Sequence, residues 1–241
     1  TEGRIVVMNL DLMKSWEIFT SNIDMFLYGV QTTLIYALVG TIAGFIIGLV
    51  LGAIRSLEVN ESDPAFIRIL KWLGQWFTRL YIWVFRGTPM MVQAMFLYYG
   101  LQSVIGWDGP TAGLFVISIN TGAYMAEIIR SGIMSVDQGQ FEAGRSLGLT
   151  YVQTMWYIII PQAFKNVLPA LGNEFITLLK ETSICGYIAL TDVTHGANTV
   201  RSQTYEPYMP LFAAALIYLV SVSVLSALIS RLERRMRVNE R

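Results

Sequence analysis

Three observations predict an all-α protein that crosses a membrane several times. The 241-residue chain is 54% apolar, with a positive mean hydropathy. Charged residues are missing from long stretches: Met25 to Ile54, Gly87 to Trp107, Gly109 to Ala126 and Pro207 to Ser230 hold no Asp, Glu, Lys or Arg. About 20 apolar residues in a helix span the hydrocarbon core, so runs of this length read as crossings. The polar segments between them carry helix-capping residues, which favour short helices over strands.

Ahead of the first run, Leu12, Met13, Trp16, Phe19 and Ile23 recur at helical spacing, with Lys14, Glu17 and Ser21 between them. Segment 1–24 is therefore read as containing a short amphipathic helix that lies on the outer leaflet of the membrane. The run from Met25 is far longer than a signal-peptide core and has no charged leader with a small-residue cleavage site, so it is expected to stay as an anchor. It and the run from Pro207 are long enough to span with tilt. The run from Gly109 reaches spanning length if Glu127 is admitted near its end.

A further span is sought between Tyr151 and Leu179, where Pro161, Lys165, Pro169 and Glu174 interrupt the apolar pattern. One reading makes this a broken helix facing a water-lined interior, because freed backbone groups are tolerated only there. The other makes it a short tilted span with Lys165 and Glu174 at the two interfaces, their long side chains snorkelling outward. Five crossings result within a membrane domain of residues 25–232, followed by a basic tail of residues 233–241.

Lys and Arg near span ends mark the cytoplasmic side. Arg55, Arg68 and Lys71 fall between the first two spans, Arg130 and Arg145 follow the third, and Arg231, Arg234, Arg235, Arg237 and Arg241 crowd the tail. Gly100 to Gly113 carries Asp108 and no Lys or Arg. The N-terminus and the Asp108 loop are thus expected outside, with the tail inside.

Seventeen basic and seventeen acidic residues balance, which gives no nucleic-acid signature. Cys185 and His195 are each the single residue of their type, so neither an intramolecular disulfide nor a His-based metal cluster can form. No Gly is followed by Lys anywhere, which excludes a Gly-x-x-x-x-Gly-Lys-Ser/Thr phosphate loop and ATP hydrolysis by that route.

The wet segment 137–161 pairs Asp137 with Gln140 and Thr150 with Gln153, each an N-cap residue with a partner three positions on that can reach back. Two short helices follow, the second ending at Pro161. Gly148 between them suits a left-handed helix end, and Gly144 with Gly148, four apart, gives the first helix a smooth side that a cleft can seat. An ordinary helical hairpin that binds nothing has the same local chemistry.

Polar groups inside spans are costly and point to function. Arg86 lies before Gly87, Thr88 and Pro89, where proline removes a backbone donor and frees a carbonyl. Asn120, Tyr124 and Glu127 are spaced along one helical face. A guanidinium binds a carboxylate through two parallel hydrogen bonds, and a carboxylate holds an ammonium. Arg86, Thr88, Asn120, Tyr124 and Glu127 therefore form a candidate zwitterion site, with Arg86 on the α-carboxylate and Glu127 on the α-amino group or a basic side chain. The rivals are an Arg86 to Glu127 ion pair and two separate interfacial residues.

Two other function classes fit less of the sequence. A membrane-embedded enzyme using Glu127, Glu174 or Glu181 would want His, paired Asp or a metal cluster beside the carboxylate. A passive channel or scaffold leaves the 137–161 segment unexplained.

Glu142-Ala-Gly-Arg-Ser-Leu-Gly148 and, nine residues on, Ile158-Ile-Ile-Pro161 resemble the EAA loop of ABC importer permeases, with Gly144 for the third Ala and Ile160 for Leu. Phe85-Arg-Gly-Thr-Pro89, Tyr124 to Arg130, and Leu168-Pro-Ala-Leu-Gly-Asn-Glu-Phe175 leading to Lys180-Glu-Thr-Ser183 are similar to segments of the polar amino acid uptake permeases within that group. The resemblance implies a transport subunit of the bacterial cytoplasmic (inner) membrane with no cofactor of its own and no enzymatic activity.

It also implies partners: ABC ATP-binding subunits that bind ATP and Mg, a second permease copy or an unlike paralogue, an extracytoplasmic amino acid binding protein, and membrane lipid. Glu142, Ala143, Gly144, Arg145, Gly148 and Pro161 would couple to the ATPase, and Lys180 to Ser183 would lie near the outer end of the pathway. The substrate would be a polar amino acid or a related zwitterion such as an opine or cystine.

Overall fold

A computed structural model of the protein describes residues 12–57, 59 and 63–238. Residues 1–11 of the interfacial segment, residues 239–241 of the basic tail, and the side chains of Leu12, Met13, Lys14 and Arg237 lie outside the described residues. The described chain is helical and contains no strand.

The expected N-terminal helix is α1, Leu12–Ser21, and the first run is α2, Ile23–Arg55. Asn22 separates them and its side-chain amide donates to the Ile18 carbonyl at 2.9 Å. Ile18 and Phe19 turn inward against a buried cluster of Phe26, Val193, Ala197, Val200 and Ala214.

The segment after α2 departs from the expected loop. Arg68 and Lys71 are carried on a helix, α3 (Ala65–Gly87), and Lys71 pairs with Asp63 at 2.6 Å. The expected second span begins late, as α4 (Met90–Ile105), because Thr88 is extended and proline follows. Gly106 takes a left-handed conformation (φ 70°) that ends α4.

The third run is α5, Gly109–Met134, capped by Asp108, whose carboxylate accepts the Thr111 amide at 3.0 Å. Hydrogen bonds from the Thr111 side chain and amide hold the Asp108 carboxyl below its ordinary value of 3.8. A carboxyl lowered on folding contributes stability above its unfolded value and loses it as pH falls through the folded one. Asp108→Asn is accordingly expected to be less stable than the native protein at neutral pH and to converge with it as the pH falls below about 4. Thermal melts of both proteins across that range check this.

Helix α5 is the centre of the molecule. Ala112, Val116, Ile117, Ala123, Met125 and Ala126 are essentially inaccessible, and α2, α3, α4 and α8 pack around them. Close packing without a hydrophobic drive between helices requires small residues at the contact. On α2 these are Gly44 and Gly48: a Cβ on Gly44 would lie 2.6 Å from Thr121 Cγ2, and one on Gly48 would lie 2.5 Å from Met125 Cβ.

Helix α6, Gln138–Ser146, and the short α7, Tyr151–Thr154, form the expected hairpin. Helix α7 does not stop at Pro161. A π-turn, Met155–Ile159, carries it into α8, Ile160–Glu181, with Pro161 in the first turn. The widened turn suits a residue that has no N–H and clashes with the carbonyl four positions back. Pro169 lies inside α8 without breaking it, so the expected interruption is absent.

A 3₁₀ turn, Thr182–Ile188, then leads to α9, Val193–Thr204, an element the sequence reading left unassigned, and to α10, Met209–Val238. Asp192 caps α9 and is fully buried. It accepts the Thr194 amide at 3.1 Å, the His195 amide at 2.9 Å and the Tyr218 hydroxyl of α10 at 2.8 Å, while the Val193 amide donates to Thr33 of α2 at 3.4 Å.

Among the described residues, three helices, Ile23–Arg55, Gly109–Met134 and Met209–Arg235, are long and apolar enough to cross a membrane. The two remaining crossings expected from sequence fall on the α3 to α4 region and on α7 to α8. Helix α10 exposes Phe212, Leu216, Leu219, Val220, Val224 and Leu228, an apolar face of the kind that lipid or a partner helix covers.

Candidate functional site

The first candidate site is the break between α3 and α4. An α-helix pairs each carbonyl with the amide four residues on, so the Phe85 carbonyl should meet residue 89, and that residue is proline. Two buried side chains replace the missing donor. Asn120 donates to the Phe85 carbonyl at 3.3 Å and Gln93 does so at 3.0 Å. Gln93 also donates to the Thr88 carbonyl at 2.9 Å and the Thr88 hydroxyl at 2.7 Å, and its own carbonyl accepts from Asn120 at 2.8 Å. The Thr88 hydroxyl donates in turn to Val84 at 2.8 Å.

Asn120 and Gln93 are only 3% and 7% exposed, so the two amides are buried, while Thr88 and Val84 at the edge of the network are exposed. Tyr81 adds a hydrogen bond to the Ile119 carbonyl and a ring contact with Phe85. The backbone on the N-terminal side of the break is thereby fixed to α5.

Arg86 projects from this frame and is exposed. Its guanidinium carbon lies 5.2 Å from the centre of the Tyr124 ring. Such stacking is worth about 0.5–2 kcal/mol. It engages the face of the guanidinium, while the in-plane N–H groups suit a carboxylate. Arg86 and Tyr124 are thus brought together, with Thr88 and Asn120 behind them.

Glu127, one turn along α5 from Tyr124, is engaged by other partners. Its carboxylate pairs with Arg55 at the end of α2 and with Arg130 Nε at 2.9 Å. The Arg86 to Glu127 pair weighed from sequence is not what the structure forms. Two further carboxyl groups, Glu174 and Glu181, are carried on α8.

In the hairpin, the reciprocal Thr150 and Gln153 bonds form as expected. Asp137 caps α6 through the Gly139 amide at 2.7 Å. Gln140 does not reach back to it; its side-chain carbonyl accepts from Gln162 of α8 at 3.3 Å. Gly148 is left-handed (φ 76°), its amide bonds to Arg145 at 2.9 Å, and the Leu149 amide bonds to Gly144 at 3.1 Å. These two bonds make a Schellman helix end.

The smooth side expected of Gly144 and Gly148 is corrected. Gly144 is buried, and a Cβ there would lie 2.6 Å from the Thr154 side chain, so it lets α6 rest on α7. Glu142, Ala143, Arg145 and Gly148 are exposed together, with Leu147 beside them, and Pro161 is exposed at the start of α8.

Sequence reasoning passed over Gln93 and used Arg55 only for orientation. The signal for Gln93 was a polar amide four residues after a proline in a charge-free run. Arg55 gave none, because its partner is 72 positions away.

Residues 65–238 match the family of binding-protein-dependent transport system inner membrane components. The arginine transport system permease protein ArtQ of Bacillus subtilis is 38% identical over 97% of this chain and 100% of its own length. The glutamine transport system permease protein GlnP of Escherichia coli K12 is 33% identical over 92% of this chain and 98% of its own. Among solved structures, an amino acid ABC transporter crystallised with histidines superposes with a TM-score of 0.82 at 39% identity, covering 90% of this chain and 96% of that one. The chain therefore belongs to the binding-protein-dependent transport system inner membrane components, as a permease subunit of an ABC importer.

Proposed function

We propose that this chain forms the translocation pathway for a polar amino acid delivered from outside by a binding protein, and that the 137–161 hairpin couples it to separate ATPase subunits. The observation that carries the reading is the capped hairpin itself, which exposes Glu142, Ala143, Arg145 and Gly148 and runs through α7 into α8 without a loop. Its polar surface and the basic residues around it support a cytoplasmic position, with the N-terminus outside and the C-terminus inside. ATP and Mg²⁺ belong to the partner ATPases, and a second permease copy or paralogue completes the pathway.

On the solute side, Arg86 takes the α-carboxylate while stacked on Tyr124, with Thr88 and Asn120 holding the frame. Glu127, paired with Arg55 and Arg130, ties α2 to α5, and Glu174 on α8 is the acid assigned to an ammonium or a basic side chain. The relatives named for arginine and glutamine support an amino acid as substrate.

The hairpin is tested at Gly148, where open space surrounds the position but φ is positive. Asn tolerates that conformation and a β-branched residue does not. Gly148→Val is expected to lower ATPase co-purification or uptake about tenfold, and Gly148→Asn to retain both, since about 1–2 kcal/mol of strain falls on the docking turn alone. Normal assembly and uptake in the Val variant would remove the hairpin from coupling.

A further inference from the structure

We propose that Gln93 is a positioning residue for solute recognition, acting through Arg86 rather than touching the solute. The inference rests on the reading of Arg86 given above. Gln93 is buried on α4, one helix beyond the break, and its amide spans the break from both sides. It donates back to Phe85, the residue before Arg86, and to both oxygens of Thr88. Its carbonyl is held by Asn120 of α5, the helix that also carries Tyr124.

One side chain therefore links the backbone that carries the guanidinium to the helix that carries the ring beneath it. The need for it comes from Pro89. An amide N–H at that position would have bonded the Phe85 carbonyl and continued the helix; its absence leaves a part-buried acceptor on the residue before Arg86. Asn120 alone contributes the longer of the two bonds to Phe85, at 3.3 Å. Without Gln93 the Thr88 carbonyl and hydroxyl lose their donor and the guanidinium loses its fixed height over Tyr124. Binding of a planar carboxylate depends on that geometry, since a displacement of about 1 Å in a positioned group is enough to impair recognition.

The test uses the complete importer, permease with ATPase and binding protein, reconstituted in liposomes with L-arginine and L-glutamine as probes. Gln93→Met keeps the volume and removes the hydrogen bonds. It is expected to raise the half-saturating concentration of loaded binding protein about tenfold, by more than it lowers the maximal rate, as the loss of one or two buried hydrogen bonds predicts. Combined with Arg86→Ala it should be no worse than Arg86→Ala alone, because the residue acts through the guanidinium.

Should Gln93→Met fail to assemble, Thr88→Val removes one of the same bonds at an exposed position and should give a smaller shift of the same kind. An unchanged half-saturation in the assembled variant, or losses that multiply in the double variant, would overturn the inference. Normal uptake by Arg86→Ala would instead overturn the Arg86 reading beneath it; impaired Arg86→Ala with native-like Gln93→Met overturns this step alone.

Discussion

Replacing Asp192 with alanine is expected to destabilise the protein by on the order of 3–5 kcal/mol, seen as a fall of roughly 10 °C in the melting temperature of the purified complex. The carboxylate is fully buried and accepts from two backbone amides at the start of α9 and from the Tyr218 hydroxyl of α10. Truncation strands the two part-buried cap amides and leaves the Tyr218 hydroxyl with Thr194 Oγ1, at 3.2 Å, as its partner. Each orphaned donor costs about 1–3 kcal/mol. Asp192→Asn keeps an acceptor for the cap and should recover much of the loss, while Tyr218→Phe removes the bonds to Asp192 and Thr194 and should cost about 1–2 kcal/mol. Equal melting temperatures for Asp192→Ala and the native protein would show that α9 is held by its apolar contacts alone.

Gly48→Leu is expected to abolish assembly, and Gly48→Ala to cost about 1–3 kcal/mol through overpacking. At this position a Cβ meets Met125 Cβ at 2.5 Å, and also main-chain atoms, the Ala126 nitrogen and the Met125 carbonyl carbon, both at 2.9 Å. Backbone at the middle of the central helix cannot move aside. One turn further on, a Cβ on Gly52 has as its nearest neighbour Ile129 Cγ2 at 3.3 Å, a side-chain atom that can rotate away. Gly52→Ala should thus yield protein close to native levels. Size-exclusion profiles of the three variants after detergent extraction decide the matter; a monodisperse Gly48→Leu peak would mean that α2 and α5 do not depend on this approach.

The long apolar helices were legible in the sequence because charge exclusion over a spanning length admits one solution. The hairpin was legible for a local reason: Thr150, Gln153 and Gly148 complete their hydrogen bonds within a few residues of themselves. Elements whose determinants are distant were not. Helix α9 has a local cap in Asp192, but it also depends on the Tyr218 hydroxyl donating to that carboxylate and on Thr33 of α2 accepting the Val193 amide, partners 26 and 160 positions away.

The solute site divides in the same way. Arg86 and Pro89 announce themselves as a charge and a missing donor in an apolar setting, but only the fold reveals that Gln93 and Asn120 supply that donor. Glu127 drew attention as an intramembrane acid, yet its neighbours Arg55 and Arg130 were visible only as positive charge near span ends. Gly144 was read as part of an outer surface because spacing on a helix gives a face without saying which way the face points. The stripe of glycines on α2 carried a packing signal that length and polarity alone did not use.

The joined α7, π-turn and α8 have a consequence for leverage. From Ile160 to Glu181 the helix has 22 residues, about 33 Å at the usual rise. If it pivots near the hairpin, a tilt of about 5° swings its far end by roughly 3 Å, about the width of a water molecule. With no slack hinge at Pro161 to absorb the stroke, a small rotation at one face of the membrane is magnified into a displacement large enough to wet or dry a passage at the other.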